Sequence, residues 1–199
     1  MGLTNEVAKF VTEKGYDEFS KREIQAAKDL VLDAIGTTIS RASEPLTQII
    51  TQFARDSGDV QECGVVGKKF KASLSNAALI NGTSIHANEL ESVGQYNGSN
   101  PFTIIPVALG VAEKFGFSGK AVIESIILAL EIQTRLGMGG PGLFDKGFSS
   151  IANYGIFGAT AAAGKLMKLS TAQMQHAFGI AIAQCSGQQR QHGSLTHFL

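Results

Sequence analysis

Residues 118–137 read Ser118-Gly-Lys-Ala-Val-Ile-Glu-Ser-Ile-Ile-Leu-Ala-Leu-Glu-Ile-Gln-Thr-Arg-Leu-Gly137. Ser118 is a helix N-cap residue, Val122, Ile126 and Leu130 follow at helical spacing towards Leu136, and Gly137 stands where a helix stops. Within this stretch Ala121 to Ile132 is the most apolar run of the chain, interrupted by Glu124 and Glu131. A bilayer span needs about 20 apolar residues, so the run is too short and too charged to cross a membrane. It reads as a helix buried among other helices.

The same period extends in both directions. Upstream, Val7, Phe10 and Val11 mark a first helix that Gly15 can end. Ser20 and Glu23 form a capping box ahead of Ile24, Ala27, Val31 and Ile35. Pro45 can open a third helix from its first position, with Leu46, Ile49, Ile50 and Phe53 on one face. Residues 59–72 break the rhythm and predict an irregular connection with a short extended piece. Helix returns near Ser75, Asn81 to Pro101 turns polar, and Ile104 to Phe115 is helical again. Downstream, Gly137 to Gly142 predicts a loop, Asn153 to Leu166 a helix of small residues, and Ser170 with Gln173 another capping box. The expected fold is all-α: one multi-helix, bundle-like domain over residues 1–199.

Composition narrows the function. Lys plus Arg and Asp plus Glu number 17 each, with no long basic run, so the electrostatic footprint of a nucleic-acid binder is absent. Charged residues make up 17% against 44% apolar, a thin polar coat that predicts surface covered by a partner or by further chain. Cys63 and Cys185 form no CxxC pattern and read as interior thiols. Met1 to Phe10 carries Glu6 and Lys9 and has no apolar signal-peptide core, which places the protein in the cytoplasm.

Gly155-x-x-Gly158 lacks both a preceding strand and phosphate-loop spacing, so these glycines are expected to let helices approach closely. Of the four histidines, His176 reads as a helix-surface residue. His192 and His197 are five apart with no carboxylate nearby, which does not make a metal site. His86 lies in the polar stretch, in His86-Ala-Asn-Glu89-Leu-Glu91. If Thr83 to Leu90 is helical, His86 and Glu89 face one another three residues apart and can serve acid–base catalysis.

The order of motifs resembles the MmgE/PrpD family, which includes 2-methylcitrate dehydratase and cis-aconitate decarboxylase. The resemblance runs over roughly residues 5–199. It is carried by Asp33-Ala-Ile-Gly36, Asn76-Ala-Ala-Leu-Ile-Asn-Gly82 with His86, Ile105-Pro-Val-Ala-Leu109, Ser118-Gly-Lys120, Gly147-Phe148, Gly155-Ile-Phe-Gly-Ala-Thr-Ala-Ala-Ala163 and Gly179-Ile-Ala-x-x-Gln184-x-Ser-Gly187. It implies the N-terminal part of a large helical domain that closes over an active-site cleft with a smaller α+β lid. It implies lyase or epimerase chemistry on small di- and tricarboxylates without metal or organic cofactor, in homodimers.

Carried over residue by residue, the resemblance assigns catalytic positions to His86, Glu89, Asn100, Ser149 and His197, with Glu89 as base and His197 as acid. Arg190 and His192 would help to hold the substrate's carboxylates. The family's pattern is altered at most of them: its first aspartate is Glu89, its threonine Val93, two histidines Asn100 and Ser149, and its lysine His197. The chain ends at Leu199, before the lid would follow, so the expectation is either a second chain that supplies it or a truncated piece, or a split or decayed gene product. The competing expectation is a non-catalytic helical scaffold that kept the fold and lost the site.

Overall fold

A computed structural model describes residues 2–58, 60–94, 100–140, 142–192 and 194. Among them run eight α-helices and one short hairpin: α1 Leu3–Glu13, α2 Lys21–Ser40, α3 Pro45–Asp56, β1 Cys63–Gly64, β2 Lys71–Ala72, α4 Leu74–His86, α5 Pro101–Phe115, α6 Gly119–Gly139, α7 Ser150–Leu166 and α8 Thr171–Gln184. Single 3-10 turns occupy Tyr16–Glu18 and Gln189–Gln191. The fold is all-α, and none of these helices is long and apolar enough to cross a membrane.

The capping signals act where the residues imply. Ser20, Ser118 and Ser170 each accept a hydrogen bond from the backbone three residues on, and Glu23 and Gln173 close their capping boxes. Pro45 stands at the start of α3, where its missing N–H costs nothing. The extended piece within 59–72 is an antiparallel hairpin pairing Cys63 with Ala72. Asn81 holds its tip from α4: Oδ1 accepts from Val66 N at 2.9 Å and Nδ2 donates to Gly64 O at 3.1 Å.

Three expectations are corrected. The helix through Asn81-Gly82 is continuous from Leu74, but it ends at His86, so residues 87–90 are not helical. The long helix α6 does not stop at Gly137; it continues to Gly139, where Tyr154 Oη donates to Gly140 O at 3.0 Å. Pro101, not Ile104, opens α5.

α5 is the central helix, packed against α4, α6, α7 and α2. Ile104, Ile105, Ala108 and Val111 bury it on several sides. Pro106 inside it has no N–H for the carbonyl of Phe102. Gly82 of α4 lies over that carbonyl, so close that a Cβ there would sit 3.3 Å from Phe102 O.

On the opposite side, α1 is fastened by charge. Lys165 Nζ of α7 donates to Thr12 O in the last turn of α1 and to Lys14 O just beyond it, at 3.2 and 2.7 Å, and pairs with Glu124 of α6 at 3.1 Å. Glu124 in turn accepts from Tyr16 N at 3.1 Å. Both side chains are mostly buried, so removing one partner strands the other. Lys165→Met is expected to lower unfolding free energy by about 3 kcal/mol in urea titration; a loss under about 1 kcal/mol would show the clamp to be incidental.

Candidate functional site

The polar segment after α4 is shaped by its own turn. Glu89 has φ 50°, a left-handed conformation, and its N–H donates to His86 O at 3.1 Å. This turn sends the chain back and brings the carboxylate of Glu91 to the imidazole. Glu91 Oε1 is hydrogen-bonded to His86 Nδ1, with both side chains buried. Ser92 then donates through N and Oγ to Asp33 Oδ2 of α2, at 3.2 and 3.0 Å. The imidazole lies flat on Phe102, ring centroids 4.2 Å apart and planes 6° from parallel.

α5 and α7 are locked together at their first turns by one amide. Gln133 of α6 is fully buried. Its Oε1 accepts from Asn100 N at 2.9 Å, and its Nε2 donates to Thr103 Oγ1 at 2.6 Å and to Gly155 O at 3.3 Å. Thr103 Oγ1 closes the circuit by donating to Asn100 O at 2.9 Å. Gly158 provides the space: a Cβ there would stand 2.6 Å from Gln133 Cγ. The small residues of α7 serve close approach, as their spacing implies.

Ser149 caps α7, its Oγ accepting from Ala152 N at 3.4 Å. Its own N–H donates to Gly187 O at 3.1 Å, beside an antiparallel bridge between Phe148 and Gln188. Gly187 has φ 122°, and a Cβ there would come within 2.5 Å of Ala152 Cβ, so the position suits glycine alone.

These pieces surround a cavity of about 500 Å³. Gly82, Thr83 and His86 line it from α4, Phe102, Thr103 and Pro106 from α5, Ser149 and Ala152 from the start of α7, and Ser186, Gly187 and Gln191 from the C-terminal segment. None of the described lining residues is Lys or Arg. The first turns of α5 and α7 reach the cavity with the positive ends of their dipoles, while α4 reaches it with its C-terminal, negative end. A second cavity, of about 700 Å³, lies among α1, α6, α7 and α8 and is mostly apolar, with Glu6 and Arg135 in its wall.

The cavity brings His86 and Ser149 together. Asn100 is buried at the start of α5, outside the cavity wall, with Nδ2 lacking a hydrogen-bond partner among the described residues. Glu89 is exposed on the turn. Arg190 and His192 are exposed, and the residue between them, Gln191, forms the wall. The expected acid, His197, lies outside the described residues. Cys63 and Cys185 sit apart from the cavity, and burial pushes both thiols above their usual range.

Two residues escape a reading of the sequence. Glu91 is hidden because a helical turn favours partners three or four residues away. Gln133 carries a signal, a lone amide within the apolar run of α6.

The MmgE/PrpD N-terminal domain family matches residues 5–198. The cis-aconitate decarboxylase-like protein oryM of Aspergillus oryzae is 28% identical over 198 residues, covering 93% of this chain and 40% of that protein. The cis-aconitate decarboxylase of Aspergillus terreus is 27% identical over 197 residues, covering 94% of this chain and 40% of its own length. Human cis-aconitate decarboxylase is 25% identical over 169 residues, 81% of this chain and 35% of its own length. The chain thus spans about two-fifths of the length of these relatives.

Two glycines make opposite predictions in chemical denaturation. Gly158→Ala forces Gln133 aside and should cost about 1–3 kcal/mol by overpacking. Gly179→Ala, exposed within α8 with nothing near its added Cβ, should gain about 0.5–1 kcal/mol from helix propensity. Equal effects at the two sites would contradict the packing described.

Proposed function

The chain belongs to the MmgE/PrpD family, and on that premise we propose that it forms the helical wall of a lyase or epimerase active site for a small di- or tricarboxylate. The chemistry is a proton transfer without a cofactor, as in dehydration, decarboxylation or epimerisation. The observation that supports it most is the convergence on one cavity of a buried histidine, His86, and the first turns of α5 and α7. A carboxylate is the ligand that helix starts favour, and a buried imidazole is a group able to pass a proton near neutral pH. Ser149 adds a hydroxyl on the far wall.

A cation for a second carboxylate falls to residues beyond this wall. His197, Arg190 and His192 are the proposed sources, together with a second copy of the chain or a separate chain that completes the cleft. The curated relatives, which are more than twice as long, make a composite site reasonable.

A second reading has its own observation. Val93 and Glu89 are exposed, and the described lining residues include no permanent cation, which suits a helical scaffold without catalysis.

Thermal unfolding with citrate, cis-aconitate and succinate separates the two. At ten times Kd a specific ligand adds about 1.4 kcal/mol, which raises the midpoint by about 3–6 °C in a chain of this size. His86→Asn should abolish the rise. No rise with any of the three acids, alone or with a co-purifying chain, contradicts the active-site reading and favours the scaffold.

A further inference from the structure

We infer that Thr83 is a ligand-binding residue of this cavity: its hydroxyl donates a hydrogen bond to a carboxylate oxygen of the bound acid. The inference rests on the proposed carboxylate site and adds to it a donor on α4.

Among the described residues four threonines are buried, and they divide in two. Thr38 and Thr51 donate to the carbonyl four residues back, at 2.7 and 2.6 Å. Ser84, next to Thr83, does the same to Ile80 O at 2.7 Å. Thr47 and Thr83 form no hydrogen bond among the described residues. They differ in where the oxygen lies. Thr47 Oγ1 is sealed from solvent, as are Asn5 Oδ1, Glu91 Oε2 and Asn100 Nδ2, the other partnerless atoms of buried side chains. Thr83 Oγ1 is not one of these sealed atoms. Only 5% of Thr83 is exposed, and the residue lines the cavity, so its oxygen opens on that space.

The surroundings give this hydroxyl a use. Leu79, Thr83 and His86 follow one another along the cavity side of α4. Hydroxyls on the other walls already hold protein groups. Thr103 Oγ1 accepts from Gln133 and donates to Asn100 O, and Ser149 Oγ accepts from Ala152 N. α4 enters the cavity with its C-terminal end, whose last carbonyls lack helical partners and repel a carboxylate. A carboxylate beside that end needs a donor on α4, and Thr83 stands one turn before it. A hydroxyl given to a charged oxygen makes one of the stronger hydrogen bonds. A buried hydroxyl without a partner costs stability, so packing alone would be better served by valine, which has nearly the same shape.

The test is calorimetric titration of the full 199-residue chain with two acids. Citrate is one; tricarballylate, which has the same three carboxylates and no hydroxyl, is the other. Thr83→Val should weaken both about tenfold, while Thr83→Ser, which keeps the O–H, should stay within about threefold of the wild type. In urea Thr83→Val should be at least as stable as the wild type, because no internal hydrogen bond is lost. Undiminished binding of both acids by Thr83→Val, or a loss as large in Thr83→Ser, overturns the assignment. So does a loss confined to citrate, which would put the ligand's hydroxyl beside Thr83, and so does a Thr83→Val chain that unfolds more easily than the wild type. If the wild type binds neither acid, the carboxylate site fails and this inference with it. If the wild type binds both and Thr83→Val binds them as well, only the role of Thr83 falls.

Discussion

The structure depends on one buried amide. Gln133 reaches from α6 through the gap left by Gly158 and takes hold of the start of α5 and the first turns of α7. A buried amide with both ends satisfied is worth more for direction than for energy, since its donors and acceptors match only one arrangement of the helices. Apolar packing among Ile104, Ile126, Ala129 and Ala161 would tolerate some sliding of α5 against α6 and α7. The amide does not. By setting the first turn of α5, it also sets Phe102, on which His86 lies.

The cavity follows from that constraint. α4 arrives with its C-terminal end and His86, while α5 and α7 arrive with their starts. Helix starts and one imidazole are a modest set of attractions for a polycarboxylate compared with lysine or arginine. A wall so short of cations calls for residues of another segment or chain to complete the proposed cleft.

Much of the fold was legible in the residues because its signals are local. Ser20, Ser118 and Ser170 cap helices three residues ahead, Pro45 opens one, and small residues along α7 announce a close neighbour. The site was legible only in part. His86 and Ser149, to which the sequence pointed, line the cavity, whereas Asn100, to which it also pointed, is buried outside its wall. Glu91 was obscured by Glu89, since a helical reading of residues 83–90 draws attention to the carboxylate three residues beyond the histidine. The left-handed turn at Glu89 and the anchor from Ser92 to Asp33 bring Glu91 to the histidine, and the anchor joins residues 59 positions apart. No periodicity encodes such a contact. The loop expected from Gly137 failed for a related reason: glycine permits a helix end without requiring one, and α6 runs on to Gly139.

The most direct measurement of the central claim is a 1H–15N correlation spectrum of the backbone, recorded as citrate is added. If the cavity formed by α4, α5 and α7 is the carboxylate site, the amides of Thr83, Thr103, Ile151, Ala152 and Gly187 should shift together along one binding curve. Shifts confined to the apolar cavity at Phe10, Leu136 and Ile182, or no shifts at all, would contradict it.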